Sequence, residues 1–239
     1  MPALARADLE VLLRSKKLDH TVTEPHNTIP RWGVPTGITE LDTRLDGGFP
    51  RGHLSEIVGA RSSGRFAVAV STLASATRRG EAVALIDPVD MFDPPSAAVS
   101  GVDFSRVLWI RGEAVSAARV SLSSEYGTLQ KSIDRAVKAL NLVLQAGGFG
   151  LVVLDLAEIS SQVLRRLPFT TWLRLQRVME GSETACLLIG AEHVARSAGG
   201  VTLELDPRSL AQHALRARVI RARATETPHV CVPVSAAAC

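Results

Sequence analysis

Five short apolar runs, the first interrupted by Ser55 and Glu56, are strung along the chain, separated by stretches of helical pattern. The runs are Leu54–Val58, Ala82–Ile86, Val107–Ile110, Leu151–Leu154 and Ala185–Ile189. Runs of this length suit strands covered on both faces. The stretches 65–79, 131–146 and 163–180 carry helix-period apolar spacing. In the second, Ile133, Ala136, Val137, Leu140 and Leu144 form one stripe. This alternation predicts an α/β domain with a mainly parallel central sheet flanked by helices. Residues 215–234 read as two further short strands that extend the sheet edge. Ahead of the core, residues 4–18 are amphipathic. Leu9, Leu12 and Leu13 lie near one face, and Arg6, Arg14, Lys16 and Lys17 toward the other. Pro25, Pro30 and Pro35 punctuate the polar stretch that follows. The expected organisation is an N-terminal helix over 1–18, a linker over 19–35 and one core domain over 36–239.

Composition narrows the function classes. With 46% hydrophobic and 21% charged residues, the chain can pack a core and is not intrinsically disordered. No apolar run approaches the roughly 18 residues of a membrane span. The start has charges inside its apolar stretch, unlike a signal peptide, which points to a cytoplasmic protein. Cys186, Cys231 and Cys239 form no CxxC pair and no Cys/His metal spacing, so no zinc site is expected. The six histidines are read as surface or satisfied core residues, with no metal site expected from them. No Ser/His/Asp or Cys/His spacing calls for nucleophilic catalysis. Aromatics are only 4%, which leaves little for stacking nucleic-acid bases. A net charge of +3 permits an acidic partner without demanding one.

The segment with most chemistry runs from Leu54 to Phe66. A strand leads into a loop with Gly59 and Gly64, and then into an apolar helix. That is the context of the G-x-x-x-x-G-K-[ST] phosphate loop, in which backbone N–H groups and a helix N-terminus converge on phosphate oxygens. Gly59, Ser62, Ser63, Gly64, Arg65 and Phe66 would line it. Arg65 stands at the lysine position and keeps the charge on a longer, forked head. Phe66 stands where a hydroxyl should hold Mg²⁺, and a phenyl ring offers no oxygen to a hard cation. Leu151–Leu154 ends in Asp155, the pattern of a strand whose aspartate supports the metal. Asp155 could equally cap the strand end.

These segments carry a family resemblance. Thr36-Gly37-Ile38-Thr39-Glu40-Leu41-Asp42, Gly47-Gly48-Phe49-Pro50-Arg51-Gly52, Glu56-Ile57-Val58-Gly59 and Ser62-Ser63-Gly64 resemble the start of the core of RecA-type recombinases. Leu85-Ile86-Asp87-Pro88-Val89-Asp90-Met91-Phe92-Asp93-Pro94 resembles that family's second core strand, and Gly101-Val102-Asp103 continues the match. The likeness spans roughly 34–225. In RecA-type enzymes a glutamate after the second strand activates the attacking water, and Val89 stands there instead. Glu192, in Ile189-Gly190-Ala191-Glu192-His193, lies near the position of the family's γ-phosphate sensor and would repel phosphate. Within the superfamily the chain looks most like the ImuA family, short RecA-like accessories of error-prone polymerases. Leu12-Leu13-Arg14-Ser15-Lys16-Lys17-Leu18-Asp19, Pro168 through Arg177, and Ala198-Gly199-Gly200-Val201-Thr202-Leu203 fit that group.

The resemblance implies two DNA-binding loops, here about 157–168 with Arg165 and Arg166, and about 192–201 with Arg196. Further on, Arg208, Arg216, Arg218, Arg221 and Arg223 are unaccompanied by any acid from 207 to 225. They suit either a phosphate backbone or acidic partner, or a charged edge strand protected against aggregation. On a regular strand Arg216 and Arg218 share one face, and Arg221 and Arg223 the other unless a bulge intervenes. Leu9, Leu12, Leu13 and Leu18 would dock on another copy or on RecA, as the N-terminal helix does in RecA filaments, or fold back on their own core.

The expected function is a non-hydrolysing accessory in DNA-damage tolerance, without ATP, Mg²⁺ or another cofactor. It would assemble or regulate a translesion-synthesis complex and modulate RecA. The implied partners are RecA and an ImuB-like Y-family polymerase homologue, with an error-prone replicative-type DNA polymerase and DNA as further candidates. Two alternatives stand beside it: a nucleotide-dependent DNA-binding ATPase with Arg65 in place of the lysine, and a RecA-fold cell-division inhibitor.

Overall fold

The computed structural model describes residues 33–112, 123–195, 199–206, 214–221 and 231–235. They belong to one of two units into which the chain divides, Trp32–Cys239. The expected helix over 1–18, with Leu9, Leu12, Leu13 and Leu18, and most of the expected linker lie outside the described residues.

The unit opens with β1 (Gly33–Val34), α1 (Thr39–Arg44) and β2 (Phe49–Pro50), with β1 and β2 paired antiparallel. Asp42 fixes this opening turn. Its Oδ1 accepts from the Thr36 backbone N–H at 2.6 Å and from the Thr36 hydroxyl at 2.8 Å, and its Oδ2 from the Gly37 N–H at 3.1 Å. Then follow β3 (Leu54–Gly59), α2 (Arg65–Arg78), β4 (Val83–Asp87), α3 (Pro94–Val99) and β5 (Val107–Arg111). The chain continues through α4 (Ser123–Ala146), β6 (Leu151–Asp155), α5 (Ser161–Leu164), α6 (Phe169–Met179) and β7 (Ala185–Gly190). It closes with β8 (Thr202–Asp206), β9 (Ala214–Arg221) and β10 (Cys231–Ser235).

The main sheet has the order β10-β9-β8-β3-β7-β6-β4-β5. From β8 to β5 every neighbouring pair is parallel, and β9 and β10 are added antiparallel. Alternate residues feed two cores. Ile57, Leu85, Val153, Leu187 and Leu203 meet α2 on one face. Leu54, Ala84, Val152, Leu154 and Leu188 meet α4 and α6 on the other. Cys186 is fully buried in the second core, and burial pushes its thiol up to about 12, so it packs as a small apolar group.

The five apolar runs are the strands β3 to β7, within a residue of the expected bounds. Three expectations change. The run at 107–111 is not covered on both faces: β5 is the outermost strand beside β4, and its residues are half-buried or exposed. The helix expected over 163–180 is broken into α5 and α6, with Pro168 at the N-cap of the second. The arginine-rich strand β9 is not the edge, because β10 pairs outside it. No described helix is long and apolar enough to cross a membrane.

Candidate phosphate-loop site

Central in the sheet, β3 is buried along its whole length and delivers the loop at its C-terminal end. Two residues in left-handed conformation shape the turn into α2: Ser62 at φ 61° and Gly64, the helix N-cap, at φ 89°. A left-handed serine costs on the order of 1 kcal/mol. Gly59 is required for a different reason. A Cβ there would lie 2.5 Å from Ser63 Oγ and 2.8 Å from the Leu205 carbonyl oxygen. Ser63 is fully buried, and its hydroxyl has no hydrogen-bond partner among the described residues. That orphan hydroxyl keeps the polarity of an anion cradle.

The charge position does not. Arg65 is only 5% exposed, and its guanidinium is turned into the protein. Nη1 donates to the Gly59 carbonyl at 2.5 Å, and Nη2 to the Ala157 carbonyl at 2.9 Å and to Glu158 Oε1 at 3.3 Å. Glu158 is also approached by Arg61 Nη2 at 3.4 Å. The fork therefore ties the end of β3 to the segment after β6.

Phe66 turns sideways. Its ring meets Phe92 edge-on at 5.9 Å, and Phe92 in turn meets Trp109 at 5.3 Å and Phe104 at 6.3 Å. Arg111 lies 4.4 Å over the Trp109 ring and pairs with Asp90 at 2.8 Å. Such aromatic pairs contribute about 1 kcal/mol each beyond their burial. The position of the metal-holding hydroxyl is thus part of a core. Val89, at the position of the family's glutamate, is 5% exposed and packs in the second core.

Asp155 ends β6 as expected and caps the turn after it: its Oδ1 accepts from the Ala157 N–H at 2.8 Å. Burial pushes its carboxyl up to about 6; the neighbouring Asp87 adds to the rise and Arg65 opposes it. Asp87, at the end of β4, is fully buried and accepts from the Met91 and Phe92 N–H groups. The donor set does not fit a magnesium–nucleotide group. The ring of Phe66 has no lone pair for the metal, and the Arg65 donors face protein acceptors. Among the described residues no three His, Cys, Asp or Glu side chains converge on a common point.

One consequence can be measured. The folded carboxyl of Asp155 holds its proton more tightly than the unfolded one, so its contribution is most favourable below about pH 4 and is lost as pH rises toward 6. Asp155→Asn keeps an acceptor for the Ala157 N–H. It should raise stability at pH 7.5 by on the order of 3 kcal/mol and change little at pH 4, as read from urea melts at both pH values. Equal effects at the two pH values would contradict a buried, titrating Asp155.

Among the described residues the expected basic groups fall in two places, the turn after α5 and the strand β9. Arg165 and Arg166 are exposed on the turn after α5, within a loop that contains a short helix. Arg165 pairs with Glu192 at 3.2 Å, which ties the two loops and neutralises one charge. Hydrogen bonds from Ser161 and then Arg165 hold the Glu192 carboxyl below its usual value. Arg218 forms a close ion pair with Glu204 on β8. The register sets Arg216 opposite Asp206 and Arg221 opposite Thr202, with an irregularity between Thr202 and Leu203. That bulge puts Arg221 in the same register row as Arg216 and Arg218, not the opposite one. Arg196, Arg208 and Arg223 lie outside the described residues.

Glu56 carries a role the motifs did not reveal. It is 3% exposed in the middle of β3, and its Oε1 accepts from the Val194 and Ala195 N–H groups at 2.9 Å. His193 Nδ1 stands 3.6 Å from its Oε2. Ser55 Oγ accepts from the Val201 N–H at 3.1 Å. Neighbouring residues of β3 thus pin both ends of the loop after β7. An acid between Leu54 and Ile57 in a strand-like run was the available signal, since a buried charge needs partners.

Residues 24–118 match the RecA N-terminal domain. The chain is 37% identical over 141 residues to RecA of Chlorobaculum parvum, covering 56% of this chain and 40% of that protein. It is 32% identical over 123 residues to RecA of Fusobacterium nucleatum, 51% of this chain and 28% of that one. RecA of Arthrobacter sp. strain FB24 is 45% identical over 76 residues, 31% and 22% respectively. The chain spans about a fifth to two fifths of the length of these relatives. Strand order and matches together support a relationship to the RecA-like superfamily, and the fold is a RecA-like core.

Proposed function

We propose that this RecA-related chain is a non-hydrolysing accessory of DNA-damage tolerance that assembles or regulates a translesion-synthesis complex and modulates RecA through protein–protein contacts. One observation carries the non-hydrolysing half: the Arg65 guanidinium is held by Gly59, Ala157 and Glu158, where phosphoryl transfer would need a positioned charge facing phosphate. Phe66 in the aromatic cluster and Val89 in the core support it. The accessory half rests on the likeness to RecA combined with lost chemistry. A RecA-like core that binds RecA-type surfaces without turnover can only shift which complexes form and how long they last.

The test is assembly. Purified chain is mixed with purified RecA, and separately with an ImuB-like Y-family polymerase homologue, and each mixture is followed by size-exclusion chromatography with light scattering. A complex with one of the two is expected, unchanged when ATP is omitted from the polymerase mixture. Absence of both complexes would contradict an accessory role.

A further inference from the structure

We propose that the outer face of α6 is a docking surface for an acidic amphipathic helix of a partner protein. This surface lies away from the phosphate loop and does not depend on whether the partner is RecA. Helix geometry sorts the residues of α6 into two sides. Thr171, Trp172, Leu175 and Met179 are buried against the sheet. On the other side Phe169, Leu173 and Arg177 form one i, i+4 row, with Thr170 and Arg174 beside it. Phe169 is 49% exposed and Leu173 43% exposed. A folded domain gains nothing from turning two large apolar side chains at adjacent i, i+4 positions to water, and such pairs are what a partner helix covers.

Charge selects the occupant. From Ile159 to Met179 the sequence contains Arg165, Arg166, Arg174 and Arg177 and no acidic residue. Arg165 is matched by Glu192, whereas Arg166, Arg174 and Arg177 are exposed and have no acidic partner among the described residues. An apolar row bordered by unmatched arginines complements a helix with leucines on one face and glutamates flanking them. Nucleic acid is the poorer match: Leu173, at the centre of the patch, offers no π-face for stacking, and only Phe169 does.

The probe is a labelled synthetic peptide with leucines at helical spacing and glutamates elsewhere. Binding to the full chain is read by fluorescence anisotropy. Saturable binding is expected, with at least ~10-fold weakening by Leu173→Glu and by the pair Arg174→Glu, Arg177→Glu. Both sites are exposed, so circular-dichroism melts of the variants should match the parent. A peptide with lysines in place of the glutamates should bind the doubly reversed variant better than it binds the parent. This swap, together with its weak binding to the unsubstituted chain, keeps the test independent of any one variant's folding. The proposal is overturned if the acidic peptide does not bind, if a scrambled peptide binds as tightly, or if the substitutions leave binding unchanged. It is equally overturned if oligothymidine occupies the same residues in preference and displaces the peptide.

Discussion

Replacing Arg65 with alanine should destabilise the folded chain by roughly 3 kcal/mol or more while leaving phosphate release at the background of the parent. Removing one member of a buried charged contact leaves the others desolvated and unmatched, which typically costs about 3–5 kcal/mol. Here the orphans are the Gly59 and Ala157 carbonyls, whereas Glu158 is partly exposed and keeps Arg61. Arg65→Lys should recover only part of the loss, because an ammonium keeps the charge but cannot bridge two carbonyls with a planar fork. Urea melts give the stability and a phosphate-release assay gives the turnover. A phosphate-facing arginine gives the reverse pattern, with stability kept and activity lost, and that outcome would exclude the inward-held geometry.

At the opposite end of the strands, Glu81→Ala should cost about 3 kcal/mol for the same physical reason. Arg51 and Glu81 are nearly buried, with side chains 9% and 11% exposed, and meet at 2.9 Å. Arg51 Nη1 also donates to the Glu183 carbonyl at 2.6 Å and the Gly150 carbonyl at 3.3 Å. The pair thereby joins the turns that precede β3, β4, β6 and β7. Burial works to raise the Glu81 carboxyl, but hydrogen bonds and attraction from Arg51, with help from Arg79, outweigh it and hold the pKa below the usual value. The stability Glu81 contributes is therefore present above about pH 4.5 and is lost as pH falls through the lowered folded value. The gap between the parent and Glu81→Ala should be widest above pH 5 and should narrow as pH falls below about 4.5. This is opposite in sense to the Asp155 substitution, so pH-resolved melts of the two variants check both assignments. A constant gap across pH would contradict the ion pair as the source.

Much of the fold was legible because burial on two faces writes a plain signal. Leu151–Leu154 and Ala185–Ile189 are uninterrupted apolar runs, and their strands lie in the middle of the sheet. The strand β8 escaped because it is buried mainly on one face. Thr202, Glu204 and Asp206 alternate with the buried Leu203 and Leu205, a period-two pattern that is short and rich in acids. The break at Pro168 was written in the sequence but overridden by the apolar spacing that continues across it.

At the site, residue types were legible and directions were not. The loop, its two glycines and the missing hydroxyl follow from Leu54 to Phe66 alone. That Arg65 turns inward depends on the Ala157 carbonyl and Glu158, which are brought beside it only by the sheet order. Phe66 likewise has partners supplied by the segment after β4 and by β5. On the expected basic strand the pairing of Arg218 was hidden for a similar reason: Glu204 lies on the strand beside it, not in the sequence around it.

In the proposed function the loop, closed by its own arginine, does no phosphoryl transfer. The most direct test is a calorimetric titration of Mg²⁺–ATP into the full chain, with phosphate release followed in parallel, with and without single-stranded DNA. No turnover under either condition, and at most weak nucleotide binding that Arg65→Ala does not abolish, is the expected result. Turnover above background that disappears with Arg65→Ala would contradict it and make Arg65 a catalytic charge.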